Sequence, residues 1–207
     1  MLTKEDRIVF IGDSITDSGR RAEPEELGDG YVRMIRDQLI CESPMNAPAI
    51  INKGVGGNRV TDLAERWEQD VLNERPTVLS ISIGINDVWR QLDSKEMNQI
   101  LPGKFEQVYR NLLDQSESTR LVLMEPTIIE EDPRSEGNEL LKPYVEIVQK
   151  LAGEYGAVLV PMHQAFIEYV SAEGEHKLTT DGVHMNSTGN TLMARTWLQA
   201  VREKGLL

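Results

Sequence analysis

Short unbroken apolar runs rich in β-branched residues alternate along the chain with longer stretches of helical period. Residues 8–11, 49–51, 78–83, 121–124 and 158–160 form the runs, a pattern suited to strands covered on both faces rather than one. Between them, Val60, Leu63, Ala64, Trp67, Val71 and Leu72 share one helical stripe that Pro76 brings to an end. Phe105, Val108, Leu112 and Leu113 make a second stripe, and Leu140, Leu141, Tyr144, Val145, Val148, Leu151 and Ala152 a third. A closing helix over 187–202 places Met193, Trp197 and Val201 on one side. Alternating units of this size predict an α/β fold with right-handed crossovers. The expected form is a flavodoxin-like three-layer α/β/α arrangement around a five-stranded parallel sheet, order 2-1-3-4-5. No repeat, linker or low-complexity tract interrupts the pattern, so residues 1–207 read as one domain.

Composition narrows the function. At 207 residues the chain can bury a sizeable core without disulfides or metals. A net charge of −12 argues against a nucleic-acid partner, because phosphate binding needs clustered Lys and Arg. Cys41 is the only cysteine, so no internal disulfide forms. The opening residues lack the apolar core of a secretory leader, and no apolar run has the length of a membrane span. The expectation is a cytoplasmic protein without a membrane partner.

Ligands in such sheets bind beyond the carboxyl ends of the strands, where the strand order switches between strands 1 and 3. The polar motifs fall there. Ser14, in Gly12-Asp13-Ser14-Ile15, follows the first strand at the expected start of a helix. Its hydroxyl becomes a nucleophile if a base removes the proton, and its N–H is then a candidate oxyanion donor. Gly12 is expected to let the chain turn off the strand. Gly57, in Gly54-Val55-Gly56-Gly57, allows close backbone approach and offers a second N–H. Asn86, in the loop expected after strand 3, adds an uncharged amide donor, with Trp89 behind it as a pocket wall. Asp181 and His184 stand three apart before the last helix. On one helical turn that spacing sets a carboxylate against Nδ1 and leaves Nε2 for Ser14. Taken singly, these motifs equally describe a helix cap, a tight turn, strand-end turn chemistry and a surface pair. In combination they describe a serine esterase.

The chain has three histidines, so the base has few rivals. His163 reads as structural, and His176, in the charged stretch 173–177, as solvated surface. Asp13, Asp17 and Asp87 could hold a hard cation, but too few histidines accompany them for a metallophosphatase, and no metal is expected. Asp13 and Asp87 read instead as loop organisers, and Asp17 as a partner for Arg20 or a backbone N–H. Residues 128–138 lie at the same sheet edge as either a rim or lid, or a solvated connection.

Ser14, Gly57, Asn86 and His184, in this order, resemble the four blocks of the GDSL or SGNH hydrolase family, with Asp181 completing a Ser-His-Asp triad. The strings Phe10–Arg20, Asn52–Asn58 and Gly84–Gln91 look like those of the small bacterial intracellular acetyl xylan esterases within it. The resemblance implies ester hydrolysis through an acyl-serine intermediate and no cofactor. It also implies an acetylated oligosaccharide as substrate, and an oligomer. Asp13, Trp89 and Thr180 are the expected pocket residues. Three departures stand out: Ile15 replaces the leucine of the family name, Met185 stands where a proline often follows the histidine, and Thr180 stands where those esterases carry a bulky aromatic. A broad short-chain esterase or thioesterase, or a carbohydrate-binding protein on the same fold, is the alternative.

Overall fold

The computed structural model describes residues 2–116, 118–172 and 174–207. Its sheet has five parallel strands, β1 (Arg7–Gly12), β2 (Ala49–Gly54), β3 (Val78–Ser82), β4 (Arg120–Met124) and β5 (Val158–Val160), in the order β2-β1-β3-β4-β5. This is the expected sheet. Among the described residues eight α-helices accompany it: α1 (Ser14–Asp17), α2 (Tyr31–Glu42), α3 (Val60–Trp67), α4 (Ile85–Asp93), α5 (Pro102–Asp114), α6 (Glu136–Glu154), α7 (Met162–Ser171) and α8 (Ser187–Glu203).

Helices α2, α7 and α8 cover one face and α3 to α6 the other. The side chains of β1, β3 and β4 are buried almost throughout because both faces are covered, which is why their runs are apolar without alternation, whereas the edge strand β2 is only partly buried. Phe10 packs edge-on to Tyr31 at 5.9 Å and against Trp197 at 5.3 Å, tying β1 to α2 and α8. The indole N–H of Trp197 donates to Ser80 Oγ at 3.0 Å, which satisfies both buried polar groups. On the other face Phe105 stands edge-on to Tyr109 and Tyr144. The stripe that begins at Val60 is one helix only as far as Trp67; Glu68–Leu72 widen into a π-helical turn, with the N–H of Asn73 donating to Glu68 O.

Register explains why the polar motifs converge. Gly12 lies opposite both Gly54 and Ser82, and Ser82 opposite Met124. Four strands therefore end on one line, and the segments that follow them emerge side by side. No described helix is long and apolar enough to cross a membrane.

Candidate active site

The turn after β1 carries Ser14 into the first position of α1. Asp13 caps that helix, its Oδ1 accepting the N–H of Ile15 at 3.0 Å. Burial pushes the Asp13 carboxyl up to about 6, partly offset by the Ile15 N–H and the nearby His184 and Arg66. Ser14 Oγ lies 2.9 Å from His184 Nε2, and His184 Nδ1 lies 2.7 Å from Asp181 Oδ2. The carboxylate selects the tautomer: Nδ1–H donates to Asp181, and the Nε2 lone pair accepts from the Ser14 hydroxyl. Partial burial raises the Asp181 pKa, but hydrogen bonds from the His184 ring and from the His184 and Val183 N–H groups outweigh it and hold the group at about 2.

Asp181 and His184 do not share a helical turn. They occupy a tight loop, closed by an antiparallel bridge between Thr179 and Met185. Within it Thr180 N–H donates to His184 O at 2.8 Å. Asp181 Oδ1 accepts the N–H groups of Val183 and His184 at 3.0 and 2.8 Å, a turn closed by its own side chain. The cap of α8 is Asn186, whose side chain accepts from Thr188 and Gly189. A clasp unforeseen in the sequence holds the loop from below: Glu131 accepts the N–H groups of Leu178 and Thr179 and the Thr179 hydroxyl. Glu131 belongs to the segment 128–138, which is hydrogen-bonded to this loop. Glu130 N–H donates to Gly182 O at 2.7 Å, and Ser135 caps α6.

Asn86 sits in the first turn of α4 rather than in a loop. Its Nδ2 donates to Asn58 O at 3.1 Å, which leaves a second amide hydrogen for another acceptor. Residues 55–58 run beside the nucleophile, since a Cβ on Gly56 would stand 3.8 Å from Ser14 Cβ. Among the described residues, the N–H groups of Ser14 and Gly57 find no acceptor. The two glycine roles expected from sequence are exchanged. Gly57 has φ +80° with open space around it, so it is the residue that needs left-handed freedom. Gly12 has no positive φ; a Cβ there would meet Ser82 O and Thr16 Oγ1 at 2.4 Å, so it is the close approach.

Arg66 is a second organiser that no motif announced. Its guanidinium donates to Asn58 Oδ1, Lys53 O and Gly12 O at 2.7, 2.7 and 3.0 Å, stitching the ends of β1 and β2 to the Gly57 loop. The link to Gly12 spans 54 residues, and none of the three follows a helical or strand period, so composition and periodicity carry no trace of them.

Trp89 stands edge-on to His184 with ring centres 5.8 Å apart, and Arg90 stacks over the indole at 5.4 Å. Thr180 is exposed, its hydroxyl donating to His184 O at 3.2 Å. A cleft of about 280 Å³ opens beside the pair, lined by Ser14, Asp17, Ser18, His184, Met185 and Asn190 among others. Asp17 pairs with Arg20 at 3.7 Å. His163 Nδ1 contacts Thr127 O at 2.6 Å, and His176 is exposed; Glu173 of its stretch lies outside the described residues. Among the described residues no three His, Cys, Asp or Glu side chains group to hold a metal.

Residues 10–192 match the model of the GDSL-like lipase/acylhydrolase family. The acetylxylan esterase of Geobacillus stearothermophilus is 34% identical over 206 residues, covering 95% of this chain and 94% of that one. The crystal structure of that organism's acetylxylan esterase Axe2 superimposes with a TM-score of 0.90 at 32% identity, over 97% of this chain and 95% of the other. Structures of its catalytic mutants at a serine, an aspartate and a histidine superimpose similarly. LAE5, an α/β hydrolase enzyme from the metagenome of Lake Arreo, Spain, gives 0.89 at 31% identity, each chain covered to 95%.

Proposed function

The chain belongs to the GDSL-like lipase/acylhydrolase family, and from that premise we propose that it is a serine esterase removing acetyl groups from carbohydrates, xylo-oligosaccharides foremost. The observation that carries this is the hydrogen-bonded series Ser14–His184–Asp181, at 2.9 and 2.7 Å, beside Gly57 and Asn86.

In the proposed reaction, His184 Nε2 takes the proton of Ser14 as Oγ attacks the ester carbonyl. Asp181, ionised across the working pH range, stabilises the imidazolium. The oxyanion is held by the N–H groups of Ser14 and Gly57 and by the free amide hydrogen of Asn86. One such donor is typically worth about 2.7–4 kcal/mol of transition-state stabilisation. The tetrahedral intermediate expels the sugar alcohol, protonated by His184, and leaves acetyl-Ser14. Water, deprotonated by the same imidazole, then releases acetate. No cofactor is needed. Trp89 and Thr180 stand beside His184 and Asp13 beneath Ser14, none of them lining the Asp17–Asn190 cleft, and we assign them to the alcohol side of the site. A single exposed cysteine suits a reducing, cytoplasmic setting.

A broader short-chain esterase is favoured by one observation: Thr180 puts a small exposed side chain beside His184, so nothing bulky there selects the alcohol. Mass spectrometry of acetylated xylo-oligosaccharides incubated with wild type and with Ser14→Ala tests both readings. Loss of acetyl groups with the wild type alone supports the sugar deacetylase, and loss with both refutes Ser14 as nucleophile. No loss with either, while the wild type still hydrolyses p-nitrophenyl acetate, replaces the sugar by a broader alcohol.

A further inference from the structure

Asn86 is followed on the first turn of α4 by Asp87, a carboxylate that is 1% exposed and that the proposed reaction does not use. Its two oxygens lie 3.2 and 3.3 Å from one donor, the backbone N–H of Val60. Val60 is the first residue of α3, whose N–H has no partner inside its own helix. The same turn of α4 therefore grips the chain at two points two residues apart: Asn86 holds Asn58 O, and Asp87 holds Val60 N–H. Those points end the loop that begins at Val55 and carries Gly57. Gln91 keeps the α4 turn in place, donating to Asp87 O and to the Tyr144 hydroxyl.

Burial drives the Asp87 carboxyl up to about 7, with the Val60 N–H and Arg59 opposing and Asp13 adding to the rise. Among the described residues Asp87 forms no ion pair, so an uncharged side chain would sit there at lower cost. Costly buried ionisable groups of this kind cluster at functional sites.

We propose that Asp87 is a positioning residue: by holding the Val60 N–H it sets the 55–60 loop against Asn86 and so brings the Gly57 N–H and the Asn86 amide to a common oxyanion. This rests on the esterase reading above. It assigns Asp87 no contact with the substrate.

Two substitutions test the link from opposite ends. Asp87→Leu removes the acceptor. Val60→Pro removes the donor at a helix position where proline is favoured and after Arg59, whose extended backbone (φ −106°, ψ 174°) tolerates a following proline; because the Val60 side chain is wholly buried, the melting temperature is read beside kcat. With p-nitrophenyl acetate, each is expected to lower kcat about ten- to hundredfold at nearly constant KM. Their combination should be no worse than the weaker single variant. Asp87→Asn, which retains an acceptor oxygen, should recover most of kcat. Asp87→Leu combined with Asn86→Ala should lose less than the product of the two separate losses, because both act on one oxyanion. A Val60→Pro enzyme with wild-type kcat, or independent multiplication of the Asp87 and Asn86 losses, overturns the proposal. If Ser14→Ala and Asn86→Ala are crippled while Val60→Pro is indifferent, the positioning role falls and the esterase stands. Full activity in Ser14→Ala overturns both.

Discussion

The two halves of the site are held in place by different physics. Ser14, Gly57 and Asn86 issue from strand ends, and the backbone there is fixed by close contact on top of the Arg66 and Asp87 hydrogen bonds. Gly12 and Gly54 leave no room for a Cβ, the one against Ser82 O and Thr16, the other 2.1 Å from Asp17 N. Asp181 and His184 sit on the surface, their side chains 48% and 37% exposed. Their loop is fixed by hydrogen bonds: the Thr179–Met185 bridge, the Asp181 turn and the Glu131 clasp. The nucleophile's half should therefore fail by added volume as well as by loss of polar partners, and the base's half by loss of polar partners alone.

The largest contrast comes from breaking each half by its own means. Gly54→Ala forces a backbone shift at the end of β2, and destabilisation of more than about 3 kcal/mol is expected, with activity lost alongside it. Asp181→Asn should leave the melting temperature within a few degrees of wild type while kcat drops roughly 10⁴-fold. Calorimetry and steady-state kinetics on the two variants decide it; a destabilised Asp181→Asn protein would erase the distinction. Next in size is Glu131→Gln, which keeps shape and part of the clasp. A fall in kcat of about tenfold with an unchanged fold is expected, and an unaffected rate would show the loop to be held by the bridge and the Asp181 turn without the clasp.

Acidity separates the halves as well. Asp13 and Asp87 lie behind the nucleophile with pKa values raised to about 6 and about 7, whereas Asp181 is lowered to about 2. Between pH 4 and 7 the folded state binds the extra protons of the raised pair, so those two groups make stability fall as pH rises through that window. Asp181 acts in the opposite sense: its contribution is complete above pH 4 and is lost as pH falls toward 2. Asp87→Asn should then be the more stable protein at pH 8 by on the order of 1–4 kcal/mol, with the gain vanishing near pH 4. Urea unfolding at the two pH values measures it, and a gain independent of pH would contradict a raised carboxyl. The smallest effect is reserved for Gly57→Ala. The added methyl meets nothing within 4 Å, so the left-handed φ alone costs about 1 kcal/mol.

Sheet order and the four polar blocks were legible because strands covered on both faces read as plain apolar runs, and because the blocks follow them directly. Helix α4 was harder to see: Asn86-Asp87 looks like turn chemistry, and only tertiary packing makes it the first turn of a helix. The roles of Gly12 and Gly57 came out exchanged, since sequence records the missing side chain but not whether its absence serves φ or space. Arg66 and Glu131 were invisible for a simpler reason. Each joins segments remote in the chain, and no local pattern encodes such a bond.

The edge-on contact of Trp89 with His184 makes the protein its own indicator. Trp67 and Trp197 are sealed in the core, so their emission is insulated from solvent and from the imidazole. Trp89 alone among the three indoles touches the ring that must gain and lose a proton. A protonated imidazole quenches a neighbouring indole where a neutral one does not. Emission followed against pH, with Trp89→Phe and His184→Ala as blanks, therefore separates the imidazole's charge from those of Asp13 and Asp87 in the resting protein, without substrate and without turnover.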